Sequence, residues 1–358
     1  MENLQKTEEI EISVTPFGNE EKWNETLFAF PDFHYLQTRE WGEFKKEKGW
    51  RPLRYVIADE NGNIIGVAQF LKKKTVLGKN ILYCPKGPFV KEPFARNKLF
   101  WRRLIEKLKE IAAANNAFLV KIEPQTPPGD FFGDGFLKKR SVQMTDCTVI
   151  NNLEGNEKEL LGKMKKSARY EIRAAEKAGI AAEEDSSREG IREFLKLYYN
   201  MGERTGIFLR NKRYMLDLLE HFIRERRARI FLAKHGKKTL SGAVVFIFPK
   251  KAWYAYGGSD RFGEKTAGSY LLQFEIMKRL KDAGVKQYDL GGTPCEKDPL
   301  GQKNMAGLKI FKSRFGGEYR EFAGSFDIPV KKPYYKVWLK LEPFVKKFRK
   351  AFRRDLFY

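Results

Sequence analysis

The run Arg54-Tyr55-Val56-Ile57-Ala58-Asp59-Glu60-Asn61-Gly62-Asn63-Ile64-Ile65-Gly66-Val67-Ala68-Gln69-Phe70-Leu71 reads as two strands, 54–58 and 64–71, joined at Asn61-Gly62. β-Branched and aromatic residues fill both arms, and Asn-Gly tolerates positive φ at both turn positions. Another strand is predicted over 81–84, ending at Gly87-Pro88. An amphipathic helix over 98–113 follows, with Leu99, Leu104, Leu108 and Ile111 along one side, then a short buried strand over 118–122. The second half returns the same order: strand 229–233, turn His235-Gly236, return strand 242–248, strand 252–256 closing at Gly257-Gly258, helix 268–282, strand 287–290. Gly66-Val67-Ala68 and Gly242-Ala243-Val244 open the two return strands alike. A hairpin–strand–helix–strand unit used twice predicts an α/β architecture of two mixed sheets.

At 358 residues the chain exceeds what one core usually organises. Two domains are expected, 1–143 completed by the C-terminal segment 325–358, and 144–324. The Pro/Gly-rich stretch 126–135 is read as a loop inside the first. The second opens with a strand over 147–150 and a strongly basic helix over 160–178, followed by helices around 191–201 and 214–224. Gly179, Gly206 and Gly284 fall where helix C-caps are expected.

Lys and Arg number 69 against 46 Asp and Glu, a net charge of +23. Such an excess implies a polyanionic partner: nucleic acid, a phosphorylated metabolite or an anionic membrane face. Cys84, Cys147 and Cys295 are an odd number without CxxC spacing, which suits reduced thiols in a reducing compartment better than a disulfide framework or a zinc site. His34, His221 and His235 are too scattered for a histidine-based metal site. The acidic N-terminus lacks the apolar core of a signal peptide, and no apolar run of membrane-spanning length occurs, so a soluble or peripheral protein is expected. The tail 331–354 interleaves Lys and Arg with aromatic and aliphatic residues around Pro343. It reads either as a helix packed on the first domain with a solvated basic face, or as a surface that lies on the inner face of the plasma membrane.

A series of blocks, in order along the chain, carries a resemblance. They begin with Gln37-Thr38-Arg39-Glu40-Trp41-Gly42 with Lys45, Gly49-Trp50 and Arg54, then Gly87-Pro88 and Lys121-Ile122-Glu123-Pro124. Next come Lys165-Lys166-Ser167-Ala168-Arg169-Tyr170 through Arg173 to Gly179, Glu203-Arg204-Thr205-Gly206, and Arg213-Tyr214. Tyr256-Gly257-Gly258-Ser259, Tyr288-Asp289-Leu290-Gly291-Gly292, and Gly307-Leu308 with Phe311-Lys312 and Phe315-Gly316-Gly317 complete the set. Over residues 35–327 the chain resembles the FemABX peptidyltransferases. The resemblance implies two tandem GNAT-like acyltransferase domains. It also implies transfer of an amino acid from aminoacyl-tRNA to an amino group on the stem peptide of a peptidoglycan precursor, with no metal or organic cofactor. No heptad stretch long enough for the coiled-coil arm of some members is present, which leaves the acceptor open between lipid-linked and UDP-linked forms. A cytoplasmic enzyme is implied, and nothing demands more than a monomer.

An aminoacyl ester is an activated donor, so the acceptor amine can attack it directly once the protein positions both substrates and stabilises the oxyanion. By resemblance Lys312 is the expected catalytic cation. Lys45 and Arg204 are candidates for gripping acceptor phosphates, with Tyr214, Tyr256 and Ser259 in the same substrate site. Glu123 is the candidate general base, the alternative being a strand-end carboxylate that pairs locally. Asp289 reads as a loop-holding residue. Lys163, Lys166, Arg169 and Arg173 on the basic helix could hold the tRNA acceptor stem, or form a solvated face offset by Glu171 and Glu176. Two rival functions remain. An acyl-CoA-dependent N-acyltransferase would need a pyrophosphate-binding turn, of which Gly257-Gly258-Ser259 followed by Arg261 is a faint echo. A non-catalytic RNA- or membrane-binding protein would explain the charge but not the ordered blocks.

Overall fold

A computed structural model describes residues 10–139, 141–142, 146–260, 267–295, 306–352 and 357–358. The chain divides into two compact units, Met1–Met144 with Phe322–Phe344, and Thr145–Glu321 with Val345–Tyr358. Arg261 and the end of the basic tail, 353–354, lie outside the described residues.

In the first unit the described strands are β1 (Ile12–Pro16), β2 (Arg51–Asp59), β3 (Ile64–Lys74), β4 (Asn80–Cys84), β5 (Phe89–Val90), β6 (Ala117–Ile122), β7 (Leu137–Lys139) and, from later in the chain, β15 (Ser325–Pro329). They form one sheet in the order β1-β2-β3-β4-β6-β15-β7, with β5 beside β3. Helices α1 (Trp23–Phe28), α2 (Arg39–Glu47) and α3 (Lys98–Ala114) accompany it. The Asn97 side chain accepts from the amides of Leu99 and Phe100 and starts α3. Phe100, Trp101, Leu104, Ile105 and Leu108 of α3 are buried against Phe70, Leu82 and Val120 of the sheet. Leu99, expected on that face, is only half-buried.

The second unit contains β8 (Cys147–Asn152), α4 (Glu157–Lys163), α5 (Lys166–Lys177), β9 (Ile180–Glu184), α6 (Arg188–Thr205), α7 (Lys212–Arg224), β10 (Ala228–His235), β11 (Lys238–Phe248), β12 (Lys251–Ser259), α8 (Gly268–Asp282), β13 (Gln287–Thr293), α9 (Ala306–Ser313) and β14 (Glu318–Glu321). Its sheet order is β14-β8-β13-β12-β11-β10-β9. Helix α10 (Lys332–Phe352) contributes its first part to one unit and its last turns to the other.

The repeat survives as polarity. β2-β3-β4 and β10-β11-β12 are antiparallel, and β4-β6 and β12-β13 are parallel. β6-β15 and β13-β8 are antiparallel again. Each sheet is therefore extended past its parallel pair by a strand distant in sequence: β15 completes the first and β8 the second. Among the described residues both sheets are mixed and helix-accompanied, the two tandem GNAT-like layers expected. Gly179, Gly206 and Gly284 have φ of +74°, +69° and +78° just past α5, α6 and α8. No helix among the described residues is long and apolar enough to cross a membrane.

Two expectations fail. The basic helix predicted over 160–178 is two helices, because Met164 and Lys165 are extended. Asn156 and Glu159 form a capping box that starts α4. The buried Met164 and a bond from the Lys165 amide to the Arg314 carbonyl (2.9 Å) hold the break. The expectation of three reduced thiols fails as well. Cys147 and Cys295 are joined in a disulfide across 148 residues of sequence, while Cys84 is free and buried. Sequence spacing cannot reveal this pairing. β8 and β13 are neighbours, and Cys147 faces Thr293 in register, two residues before Cys295.

Candidate active site

β12 and β13 pair in parallel only at Lys251–Trp253 and Gln287–Asp289, although the strands run on to Ser259 and Thr293. Beyond Trp253 and Asp289 the ladder stops, although Gly291 still lies against the Tyr254 carbonyl; this split in the pairing is at the strands' carboxyl ends, the place where open α/β sheets take ligands. Ala255 forms a bulge in β12 at the same level, since Val245 faces Tyr254 and Val244 faces Tyr256. In the first unit β4 and β6 stay paired to Cys84 and Ile122, so the corresponding split is closed there.

Lys312 lies at the split, 4% exposed. Its Nζ donates to the Gly292 carbonyl at 2.7 Å and sits 5.9 Å from the Tyr254 ring. Gly291 has φ +73°, and a Cβ there would lie 2.8 Å from the Tyr254 carbonyl, so only glycine fits this turn beside β12; the same Cβ would be in ordinary contact with Lys312 Nζ, at 3.7 Å. Asp289 accepts from the Gly291 amide at 2.8 Å and from the Thr148 hydroxyl, which fixes that turn. Burial pushes the Lys312 pKa down to about 7, and the Asp289 carboxylate recovers only part of the shift.

The residues around Lys312 explain its motif. Phe315 stacks on Tyr270 of α8 (5.6 Å), Phe311 packs edge-on to Phe315 (5.1 Å), and Arg314 donates to the Tyr270 hydroxyl at 2.7 Å. These contacts anchor α9. A Cβ on Gly316 would lie 2.1 Å from the Lys163 carbonyl, so the chain passes close under α4 at this point.

Arg204, in the last turn of α6, donates to the Ser259 carbonyl at 3.2 Å, which ties the helix end to the end of β12. Tyr256 meets Tyr198 of α6 edge-on at 6.0 Å, and a Cβ on Gly258 would touch the Tyr198 backbone at 3.0 Å. Tyr214 is buried on α7 with the Arg210 guanidinium 4.4 Å over its ring. Tyr199 donates to the Arg210 carbonyl at 2.8 Å. Burial raises the pKa of Tyr254 and Tyr199 to about 12 and that of Tyr256 and Tyr198 also upward, so all four hydroxyls stay protonated donors at neutral pH. Tyr198, Tyr199, Tyr254 and Arg210 escape a reading of the sequence alone. Their only signal there is proximity to the Glu203-Arg204 and Tyr256-Gly257-Gly258 blocks.

Lys45 and Glu123 belong to the first unit. Lys45 is buried on α2, 5.7 Å from the Trp41 ring and 5.4 Å from the Trp50 ring, so two indole faces already cover the cation. Glu123 follows β6. Its amide donates to the Gly87 carbonyl at 2.9 Å, and its carboxylate accepts from Tyr83 (2.9 Å) and from the Val142 amide (2.8 Å). Burial raises its pKa, with Lys86 opposing. With both carboxylate oxygens engaged, Glu123 suits holding the strand end better than receiving a proton.

The basic residues of α4 and α5 separate into two kinds. Arg169 donates to the carbonyls of Gly162 (3.2 Å) and Met164 (3.0 Å), closing the C-terminal end of α4. Lys163, Lys166 and Arg173 are exposed, with Lys163 reaching the Glu154 carbonyl at 3.3 Å.

The FemAB family profile matches residues 28–154, 138–236 and 226–342. The Lipid II:glycine glycyltransferase of Staphylococcus aureus (strain USA300) is 26% identical over 92% of this chain and 96% of its own length. The enzyme of the same description from Staphylococcus saprophyticus is 25% identical over the same shares. Among solved structures, FemX superposes with a TM-score of 0.77 at 24% identity, covering 91% of this chain and 99% of FemX. A tandem GNAT protein from the clavulanic acid pathway gives 0.52 at 12% identity, covering 90% and 99%. Both structural likenesses speak to fold. With the ordered motif blocks now placed on a pair of mixed sheets, the chain belongs to the FemAB family and is an aminoacyltransferase.

Proposed function

We propose that the chain transfers an amino acid from aminoacyl-tRNA to an amino group on the stem peptide of a peptidoglycan precursor, in the cytoplasm. The observation that carries this reading is the dry lysine at the strand split, Lys312 on the Gly292 carbonyl. The glycyltransferase relatives, named for action on lipid II, support the acceptor class.

The acceptor nitrogen attacks the ester carbonyl, the C–N bond forms, and the ester C–O bond to the terminal tRNA ribose breaks. The proton leaving the amine ends on that ribose oxygen. Lys312, protonated, stabilises the oxyanion of the tetrahedral intermediate, and a low-dielectric setting makes that interaction strong. With a pKa of about 7 both of its forms are populated near neutrality, so it can also carry the proton from the amine nitrogen to the ribose oxygen. Arg204, Tyr256, Ser259 and Tyr214 are the candidate substrate contacts of the second unit; Lys45, in the first, is a separate candidate. Lys163, Lys166 and Arg173 are the candidate tRNA contacts, with Arg169 supporting them from the end of α4.

The test is incubation of the purified protein with charged total bacterial tRNA and both precursor forms, read by mass. A gain of one amino-acid residue on the peptide, abolished by RNase, is expected. No gain with either precursor, with acetyl-CoA supporting transfer to another amine, refutes the reading.

A further inference from the structure

Helix α10 presents an apolar face to solvent. Trp338, 1% exposed, and Tyr335 anchor it from one side. At about 100° per residue, Val337, Leu341, Phe344, Phe348 and Phe352 fall within one sector of about 80°, bordered on one side by Trp338. Phe344 is 70%, Phe348 55% and Phe352 76% exposed, and Val337 is exposed too. Phe348 and Phe352 lie ring to ring at 4.7 Å, so the stripe is continuous through the last turns. Lys336, Lys340 and Lys347, all exposed, occupy the adjoining sector.

Large aromatic side chains exposed in series are unusual on a soluble surface and mark an interaction face. Its charge selects the occupant. Two copies placed stripe to stripe would press together molecules that each carry +23, each with a lysine row at the edge of the contact. An anionic bilayer accepts the phenylalanines at the headgroup–acyl boundary and the lysines among its phosphates. We infer that this face of α10 docks the protein on an anionic lipid surface.

The inference stands on the helix alone and does not require the transfer reaction. It adds to that reaction a place, beside lipid-borne acceptors, and this consequence rests on the proposed function. The experiment is co-sedimentation of the full chain with phosphatidylcholine vesicles and with vesicles containing phosphatidylglycerol. Binding to the anionic vesicles is expected, weakening as salt rises. F344S/F348S is expected to lower partition by about tenfold for each phenylalanine. K336E/K340E/K347E is expected to remove the preference for anionic lipid. Because the substituted side chains are exposed, both variants should keep the wild-type unfolding midpoint and transfer to a water-soluble acceptor. Equal partition of wild type and F344S/F348S overturns the inference. So does a dimer seen by light scattering that F344S/F348S dissolves, since the occupant is then a second copy. Vesicle binding without any transfer activity leaves the docking face standing and counts against the reaction alone.

Discussion

Replacing Lys312 with methionine should make the protein more stable and nearly inactive. The lysine is held in a dry site with a pKa of about 7, while in the unfolded chain it titrates near 10.5. Between those values the unfolded state binds more protons, so wild-type stability rises with pH across that window. At pH 7, keeping the lysine folded costs about 4 kcal/mol at 1.36 kcal/mol per pKa unit. Methionine removes that cost and leaves the Gly292 carbonyl without its donor, a loss of about 2 kcal/mol. The net gain of about 2 kcal/mol should raise the unfolding midpoint by about 4–8 °C at pH 7. At pH 9 the relieved cost falls to about 2 kcal/mol, so the advantage should vanish. Transfer should fall about 10²–10³-fold once the oxyanion is without its cation. Calorimetry at both pH values, beside the mass-read transfer assay, checks each part. A methionine variant less stable than wild type at pH 7, losing activity only as its unfolded fraction grows, would show the ammonium to be structural and refute its place in the chemistry.

Lys166→Ala/Arg173→Ala should weaken tRNA binding across all tRNAs and shallow the log–log salt slope by about 0.9 for each phosphate no longer neutralised, with no change in unfolding midpoint; an unchanged slope removes these residues from the interface. Arg169→Ala, by contrast, should lower stability by about 1–3 kcal/mol because the end of α4 is left without its donors, and a thermal melt at the level of wild type contradicts that role. Glu123→Gln should cost stability while retaining most transfer in the folded fraction; a drop of about 10²-fold or more, measured per folded molecule, would instead restore it as a general base. Reduction of Cys147–Cys295 should lower the unfolding midpoint of the second unit, corresponding to about 2–5 kcal/mol, with thiol titration rising from one to three; if the midpoint stays, the bridge carries no stability.

Asn61-Gly62 and His235-Gly236 make the two hairpins legible in the sequence, because turn chemistry is local and both flanks are β-branched. The glycine motifs are legible as motifs. Their purpose is not, since Gly291 matters through its approach to Tyr254 and Lys312, from other elements. The helix break at Met164-Lys165 is hidden because Leu160, Met164, Ala168 and Ile172 keep a four-residue spacing straight through it, and all four are buried. Periodicity reports which side chains face the core, not whether the backbone between them stays helical. Lys45 is legible as part of an amphipathic helix, but Trp50, which completes its aromatic enclosure, lies past the helix end. The disulfide, β14 and β15 depend on pairings far apart in sequence, which no local window contains.

The return of a late strand to the first sheet sets a timetable for synthesis. Lys121 of β6 and Asp327 of β15 form a buried ion pair, yet they are 206 residues apart. At about 5–20 residues per second a ribosome needs roughly 10–40 s to bridge that interval. Throughout it β6, Ala117-Phe118-Leu119-Val120-Lys121-Ile122, buried at every position in the finished protein, waits with one open hydrogen-bonding edge. Such a strand is a template for wrong pairing. The first sheet, although begun first, is therefore the later of the two to close, and a chain stopped anywhere before residue 325 should emerge as an aggregate rather than as a free first domain.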